Sequence, residues 1–287
     1  MSTTYHQLLD ATIWHLERLK SDGVRFVEVS ASALKALSAP SPAPLAHSLS
    51  QAQIESRRSE VHQKMPVEKP TPSEPETANL QHKAAALDAL RAQALACTKC
   101  PHLAASRKTV VFGIGDMNSP LMFVGEAPGA DEDQQGEPFV GRAGQLLTRI
   151  IEAMGVKREQ VYIANILKCR PDTPGETSGN RKPTLVEMET CVPYLHQQID
   201  LIQPKVIVGL GGTAVEGLLG KPLSITKLRG QWQTYRAIPF MPTFHPSYLL
   251  RPENSRHKRS VWEDMLQVME KLSWPVTEKQ RNFFMKA

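Results

Sequence analysis

Four cysteines and one histidine are the residue types in this chain whose spacing could do chemistry by itself. Cys97 and Cys100 form a CxxC pair, Cys169 follows an apolar run and precedes Arg170-Pro171, and Cys191 lies in a helical segment. The opening Met1-Ser2-Thr3-Thr4-Tyr5-His6 has no basic region followed by an apolar core, so no secretory signal is expected. Without one, a disulfide framework is not expected, and four thiols point instead to a tetrathiolate site for zinc or an iron–sulfur cluster. A structural zinc usually draws on two close cysteine pairs, and only one pair is close here. That leans toward a cluster without deciding the matter, and ordinary core cysteines at 169 and 191 stand as the alternative.

His245 sits in Thr243-Phe244-His245-Pro246-Ser247-Tyr248-Leu249-Leu250-Arg251, just after an apolar run and before a proline that fixes the turn. A histidine so held can donate to a developing anion or move a proton. Leu249 and Leu250 suit a wedge between stacked bases. Basic residues follow at Arg251, Arg256, Lys258 and Arg259, with others at Lys168/Arg170 and Arg181/Lys182. On one face with His245 they would form a phosphate-binding rim.

The segment Gly125 to Gly144, GEAPGADEDQQGEPFVGRAG, holds five glycines, two prolines and five carboxylates (Glu126, Asp131, Glu132, Asp133, Glu137). Crowding of that kind suits a site better than a merely solvated loop. Gly209-Leu210-Gly211-Gly212-Thr213-Ala214 also follows an apolar run and opens a helix, as a phosphate-binding turn would. No acidic residue ends a strand some 20 residues later, so a dinucleotide site there is weakly supported.

These residues need elements to hold them. Short apolar runs at Thr109–Phe112, Leu121–Val124, Val161–Asn165, Lys205–Gly209 and Ile238–Thr243 read as strands. Helical spacing marks His82–Ala96, Ala143–Met154, Thr184–Ile202, Thr213–Leu219 and Lys258–Lys271. Alternation of the two predicts a three-layer α/β/α domain with a mostly parallel central sheet over 81–275, and a tail at 276–287. Residues 1–38 read as a small helix–strand–helix extension. Residues 39–80, rich in proline and poor in apolar side chains, read as a disordered linker. No run approaches the ~20 apolar residues of a membrane span. The net charge of +5 favours a polyanionic partner.

Taken together, the segments resemble the uracil-DNA glycosylase superfamily, specifically its family 4, the iron–sulfur group. The likeness runs over about 85–272. It is carried by Gly125-Glu126-Ala127-Pro128-Gly129, Glu132-Asp133, Gly136, Pro138-Phe139-Val140-Gly141, Asn165 with Lys168-Cys169-Arg170-Pro171, and Asn180-Arg181 with Pro183-Thr184. Pro204-Lys205-Val206-Ile207-Val208, Leu228-Arg229-Gly230, His245-Pro246-Ser247 and the order of the four cysteines complete it. The resemblance implies an enzyme that hydrolyses the N-glycosidic bond of uracil in single- or double-stranded DNA, leaving an abasic site for base excision repair. It implies that Cys97, Cys100, Cys169 and Cys191 hold a structural 4Fe-4S cluster. Phe139 would stack on the flipped uracil, Asn165 would read its edge, and Ala127 would border it. Glu126, with Glu132 as second candidate, would face the sugar and its attacking water. His245 would stabilise charge at uracil O2. Ser247 and Arg251 would contact the DNA, and Leu249 would fill the gap in the duplex. Asp131, Asp133 and Glu137 are left to loop hydrogen bonds or solvent.

The stretch Asp172-Thr173-Pro174-Gly175-Glu176-Thr177-Ser178-Gly179 is longer than the family's turn and carries no histidine, unlike a related subgroup that bonds covalently to DNA. A monomer in the cytoplasm is expected, with no membrane contact and with residues 1–38 available to an unknown protein partner. A lesion-binding module without turnover, or a glycosylase for another deaminated base, are the competing readings.

Overall fold

The computed structural model describes residues 74–172, 180–220 and 224–285. All belong to the second of the two units into which the chain divides, Pro70–Ala287. The expected extension at 1–38, most of the expected linker and nearly all of the insert lie outside the described residues.

Along the chain run α1 (Glu74–Leu95), α2 (Pro101–Ser106), β1 (Ile114–Gly115), β2 (Leu121–Gly125), α3 (Ala130–Gln135), α4 (Arg142–Ala153), β3 (Tyr162–Asn165) and α5 (Leu185–Ile202). There follow β4 (Val206–Leu210), α6 (Gly212–Leu219), α7 (Ile225–Leu228), β5 (Gln233–Tyr235), β6 (Ile238–Thr243), α8 (Pro246–Leu249), α9 (Lys258–Lys271) and α10 (Glu278–Arg281). The six strands form one sheet in the order β1-β3-β2-β4-β6-β5. The four central strands are parallel, and β1 and β5 run antiparallel at the edges.

Strand β2 shows why the sheet is covered on both faces. Its side chains point alternately to opposite sides, yet all five residues are buried. Met122 and Val124 join Leu90 of α1, Leu195 and Ile199 of α5, and Val215 of α6. Leu121 and Phe123 join Leu147 and Ile151 of α4 and Met265 and Met269 of α9. Each large side chain so removed from water contributes roughly 1.5–3 kcal/mol. The result is the expected three-layer α/β/α arrangement.

Some elements differ from the sequence reading. Thr109–Phe112 is buried from Val110 onward but forms no strand. It reaches its neighbour through the Val111 N–H to the Lys168 carbonyl at 2.8 Å, and the antiparallel edge falls to Ile114–Gly115 instead. The three-residue β5 was too short to show a period. Helix α1 begins at Glu74, inside the stretch expected as linker. The expected tail forms α10, which Trp262 pins by donating Nε1–H to the Gln280 carbonyl at 2.6 Å. Helix α5 starts where a capping box would start it. Thr184 Oγ1 accepts from the Glu187 N–H, and Glu187 Oε2 accepts from the Thr184 N–H.

Candidate active site

Parallel register brings the strand ends to one edge. Gly125 pairs with Asn165 across β2 and β3, and Leu210 pairs with Thr243 across β4 and β6. The loops leaving these four residues therefore converge at the carboxyl edge of the sheet, the usual place for sites in such folds. They border a cleft of about 220 Å³ lined by Ala127, Gly129, Glu132, Phe139, Ala143, Asn165, Asn180, His245 and Ser247.

Asn165 is 2% exposed, and its Oδ1 is buried with no hydrogen-bond partner. Such an acceptor costs about 1–3 kcal/mol to leave unmet, so a ligand N–H entering the cleft would recover that energy. Gly125 lies directly against it. A Cβ at this position would collide with Asn165 Oδ1 and stand 2.6 Å from Cζ of Phe139. Only a residue without a side chain lets the amide and the aromatic ring share this corner. Phe139 is itself held at φ 54°, in the left-handed region, a strain of about 1–3 kcal/mol kept by the surrounding loop. Its ring lies 5.6 Å from the imidazole of His245.

The two candidate carboxylates have different surroundings. Glu132 Oε2 accepts from the Gly129 N–H at 3.0 Å, and Oε1 accepts from the Val140 and Gly141 N–H groups, each at 3.0 Å. It caps α3 and pins the strand-to-helix loop to itself. Its oxygens border the cleft, but their acceptor capacity is largely taken by the backbone. Glu126 is half-buried, and burial pushes its carboxyl above the usual range, opposed by a hydrogen bond with Thr213 and by the charge of Lys182. Asp133 is buried and accepts from the Lys108 and Thr109 N–H groups, a loop-bonding role in keeping with its sequence reading.

His245 caps α8. Its Nδ1 accepts the Ser247 backbone N–H at 3.2 Å and lies 2.7 Å from Ser247 Oγ. A backbone amide can only donate, so in the neutral ring the proton sits on Nε2. Burial pushes the imidazole pKa down to about 4, which keeps the ring neutral near pH 7. The glycine turn after β4 faces the same ring. Gly211 has φ 91°, and a Cβ there would come within 2.9 Å of the His245 Cβ. That turn is a seat for the histidine, which accounts for Gly211 without a dinucleotide. Beneath it, fully buried Asp264 pairs with Arg229 and accepts from Thr243 Oγ1 at 2.5 Å, and Arg229 also binds the Ser260 carbonyl at 2.6 Å. This fixes the end of β6, two residues before His245.

Leu249 does not project from the surface. It is 4% exposed and sits with Phe244 and Val261, so the wedge expected of it is not presented, and Leu250 beside it is only partly exposed. Ser247 and Arg251 are exposed. The expected phosphate rim is thinned elsewhere. Lys168 is buried in the core, with its pKa pushed down to about 8 by burial. Arg181 pairs with Glu187, which His102 also contacts at 2.6 Å. Lys182 pairs with Glu216, and Arg170 Nε donates to Asn180 Oδ1 at 2.7 Å.

The CxxC pair and the two cysteines distant from it in sequence line one small pocket with Leu103, Leu167, Arg107 and Thr190. Among the described residues no three His, Cys, Asp or Glu side chains stand grouped to hold a metal ion. The donor set nevertheless suits a thiolate-bound group. Burial raises the pKa of Cys100 and Cys169 and pushes that of Cys191 up to about 11. A cation bound there would offset this by favouring the thiolates. Arg107 Nη1 donates to Cys169 Sγ at 3.1 Å, and the Lys168 N–H donates to Cys191 Sγ at 3.3 Å, the N–H···S bonds that tune bound sulfur.

A family model described as the uracil DNA glycosylase superfamily matches residues 112–266, more than half of the chain. The chain belongs to the uracil-DNA glycosylase superfamily. The type-4 uracil-DNA glycosylase of Thermotoga maritima is 47% identical over 174 residues, spanning 59% of this chain and 85% of that protein. That of Sulfurisphaera tokodaii is 40% identical over 193 residues, spanning 64% and 84%. A type-5 uracil-DNA glycosylase of Pyrobaculum aerophilum is 26% identical over 206 residues, spanning 60% and 86%.

The superfamily match contains every residue lining the cleft, together with Cys169 and Cys191, while Cys97 and Cys100 precede it. Asn180 and Ala143 border the cleft but carry no role in the sequence reading. Lys168, read there as part of a phosphate rim, is instead buried and bonded to Gln198 and the Asn165 carbonyl. For Lys168 a signal existed, since it sits between Leu167 and Cys169 in an apolar stretch that is buried throughout.

Proposed function

We propose that this chain is a DNA repair enzyme that hydrolyses the N-glycosidic bond of uracil in DNA, releasing the base and leaving an abasic site. The observation that carries the reading is the unpartnered Oδ1 of Asn165, an acceptor waiting in a cleft beside an aromatic ring and a neutral histidine. Uracil offers a ring N–H to that acceptor and a carbonyl to the amide nitrogen beside it. Cytosine lacks the N–H at the corresponding ring position.

Cleavage builds positive charge on the sugar and negative charge on the departing base. The neutral ring of His245, protonated on Nε2, donates to uracil O2 as that charge grows. A neutral donor suits this step, because an imidazolium would bind anions in general. Phe139 stacks on the flipped base. Glu126 is the carboxylate left for the sugar and its water, since Glu132 is committed to three backbone N–H groups. Water adds at the anomeric carbon as the carbon–nitrogen bond breaks, and a proton ends on the base. Ser247 and Arg251 take DNA phosphates. The wedge role read for Leu249 would require the Phe244–Val261 cluster to open.

Cys97, Cys100, Cys169 and Cys191 would hold a 4Fe-4S cluster, which when bound would tie the segment before α2, the turn after β3 and α5 together. The enzyme acts as a cytoplasmic monomer on single- or double-stranded DNA, and the first 38 residues serve a protein partner. Among the described residues no helix is long and apolar enough to cross a membrane. The test is an assay of uracil-containing oligonucleotides, with other deaminated bases in parallel, scored for abasic sites. Absence of abasic sites with brown, iron-loaded protein would overturn the proposal.

A further inference from the structure

We propose that Lys168 is a positioning residue for the base-reading amide and ties the turn that carries it to the four-thiol pocket. This rests on the reading of Asn165 as the residue that reads uracil. Lys168 is 2% exposed. Its Nζ donates to the main-chain carbonyl of Asn165 at 2.9 Å and to Gln198 Oε1 at 2.6 Å. Fully buried Gln198 in turn donates from Nε2 to the Phe112 carbonyl at 2.9 Å and lies 3.0 Å from the Tyr162 hydroxyl. The main chain of Lys168 faces elsewhere. Its N–H donates to Cys191 Sγ at 3.3 Å, and its carbonyl accepts from Val111.

Burying an ammonium carries a penalty that an apolar side chain of similar length would not. Its contacts therefore ask for a reason. Asn165 ends β3, and its Oδ1 has no protein partner to aim it. The side chain can then be aimed only through its backbone and its packing, and Lys168 grips that backbone at the carbonyl. The same residue is bonded to one of the four thiols and adjoins another. The turn from 165 to 169 thus meets the backbone of the amide at one end and the thiols at the other, and the Nζ grip is what holds the pose of the amide.

Lys168→Met in the full, iron-loaded chain removes the grip while keeping the length. Expected is a fall in kcat/KM on uracil-DNA of about 10- to 100-fold, as for a misplaced group. Inhibition by free uracil should weaken by a similar factor, while affinity for DNA carrying an abasic-site analogue, iron content and visible absorption stay unchanged. Gln198→Met should move the same readouts in the same direction by less, and it decides the matter if Lys168→Met does not fold. Asn165→Ala is run beside them. If that variant leaves uracil inhibition intact, the base-reading role falls. If it abolishes uracil inhibition while both Lys168→Met and Gln198→Met leave it intact, only the role of Lys168 falls. A parallel loss of abasic-site affinity would mean general collapse and would also overturn the proposal.

Discussion

The cleft and the thiol pocket lie at the two ends of one short turn, and their polar groups are handled in opposite ways. In the cleft, groups are held short of satisfaction: an acceptor without a donor at Asn165, a phenylalanine in a left-handed backbone, an imidazole kept neutral by burial. Around the thiols, Arg107 and the Lys168 N–H already serve the sulfurs, and Glu187 gathers Arg181, His102 and Thr184 nearby. The difference teaches where energy is reserved for a ligand and where it is spent on holding the fold. Changes in the cleft should then damage catalysis with little loss of stability, and changes at the thiols the reverse.

The largest effect should come from His245→Ala. Loss of a placed donor to the leaving anion should lower kcat/KM on uracil-DNA by about 10²–10³, out of proportion to the roughly 1 kcal/mol that losing its cap on α8 costs. A drop of less than about tenfold would break the contrast from the cleft side. Cys169→Ser should do the opposite. It should destabilise by about 3 kcal/mol or more, a shift of roughly 6–12 °C, while protein kept cold retains most of its turnover. Thermal melts and cold assays on one preparation check this.

Glu132→Gln tests a residue that borders the cleft yet behaves like the thiol region. It weakens the acceptor for three backbone N–H groups, so a stability loss of about 1–2 kcal/mol is expected with a larger effect on turnover than on DNA affinity. Smallest should be the response to mild acid. Because the folded pKa of His245 is lowered to about 4, its neutral state contributes stability above the unfolded value near 6.5. That contribution is lost as pH falls from there through about 4. The donor should stay neutral across pH 6.5, so kcat/KM should show no His245 step there, and the His245 contribution should fall only toward the folded value. A full titration step near 6.5 that vanishes in His245→Gln would contradict the burial argument.

The sequence made the scaffold and most of the site readable for separate physical reasons. Strands such as Leu121–Val124 are short apolar runs, and a run buried on both faces has no other use. Cys169 and Cys191 could be joined to the CxxC pair only through the resemblance, which has all four in the same order, because spacing alone left them as possible core cysteines. What stayed hidden depends on spatial neighbours. Glu132 and Glu126 are equal as letters, and only the three amides around Glu132 tell them apart. Leu249 read as a wedge because its helix is too short for a period to show which way it faces. Lys168 read as a phosphate contact because charge suggests surface, and the buried carbonyl that draws it inward is not visible in its own neighbourhood.

The seat that Gly211 makes for His245 limits how far the histidine motif can travel. Thirty-four positions separate the two residues, so His245-Pro246-Ser247 moved into another α/β scaffold would arrive without its floor. A recipient whose turn after the neighbouring strand carries any side chain at that point would push the ring out of place. Screens for new glycosylases would therefore do better to search for the pair than for the triplet, and engineers borrowing the motif would need to carry over the glycine turn as well.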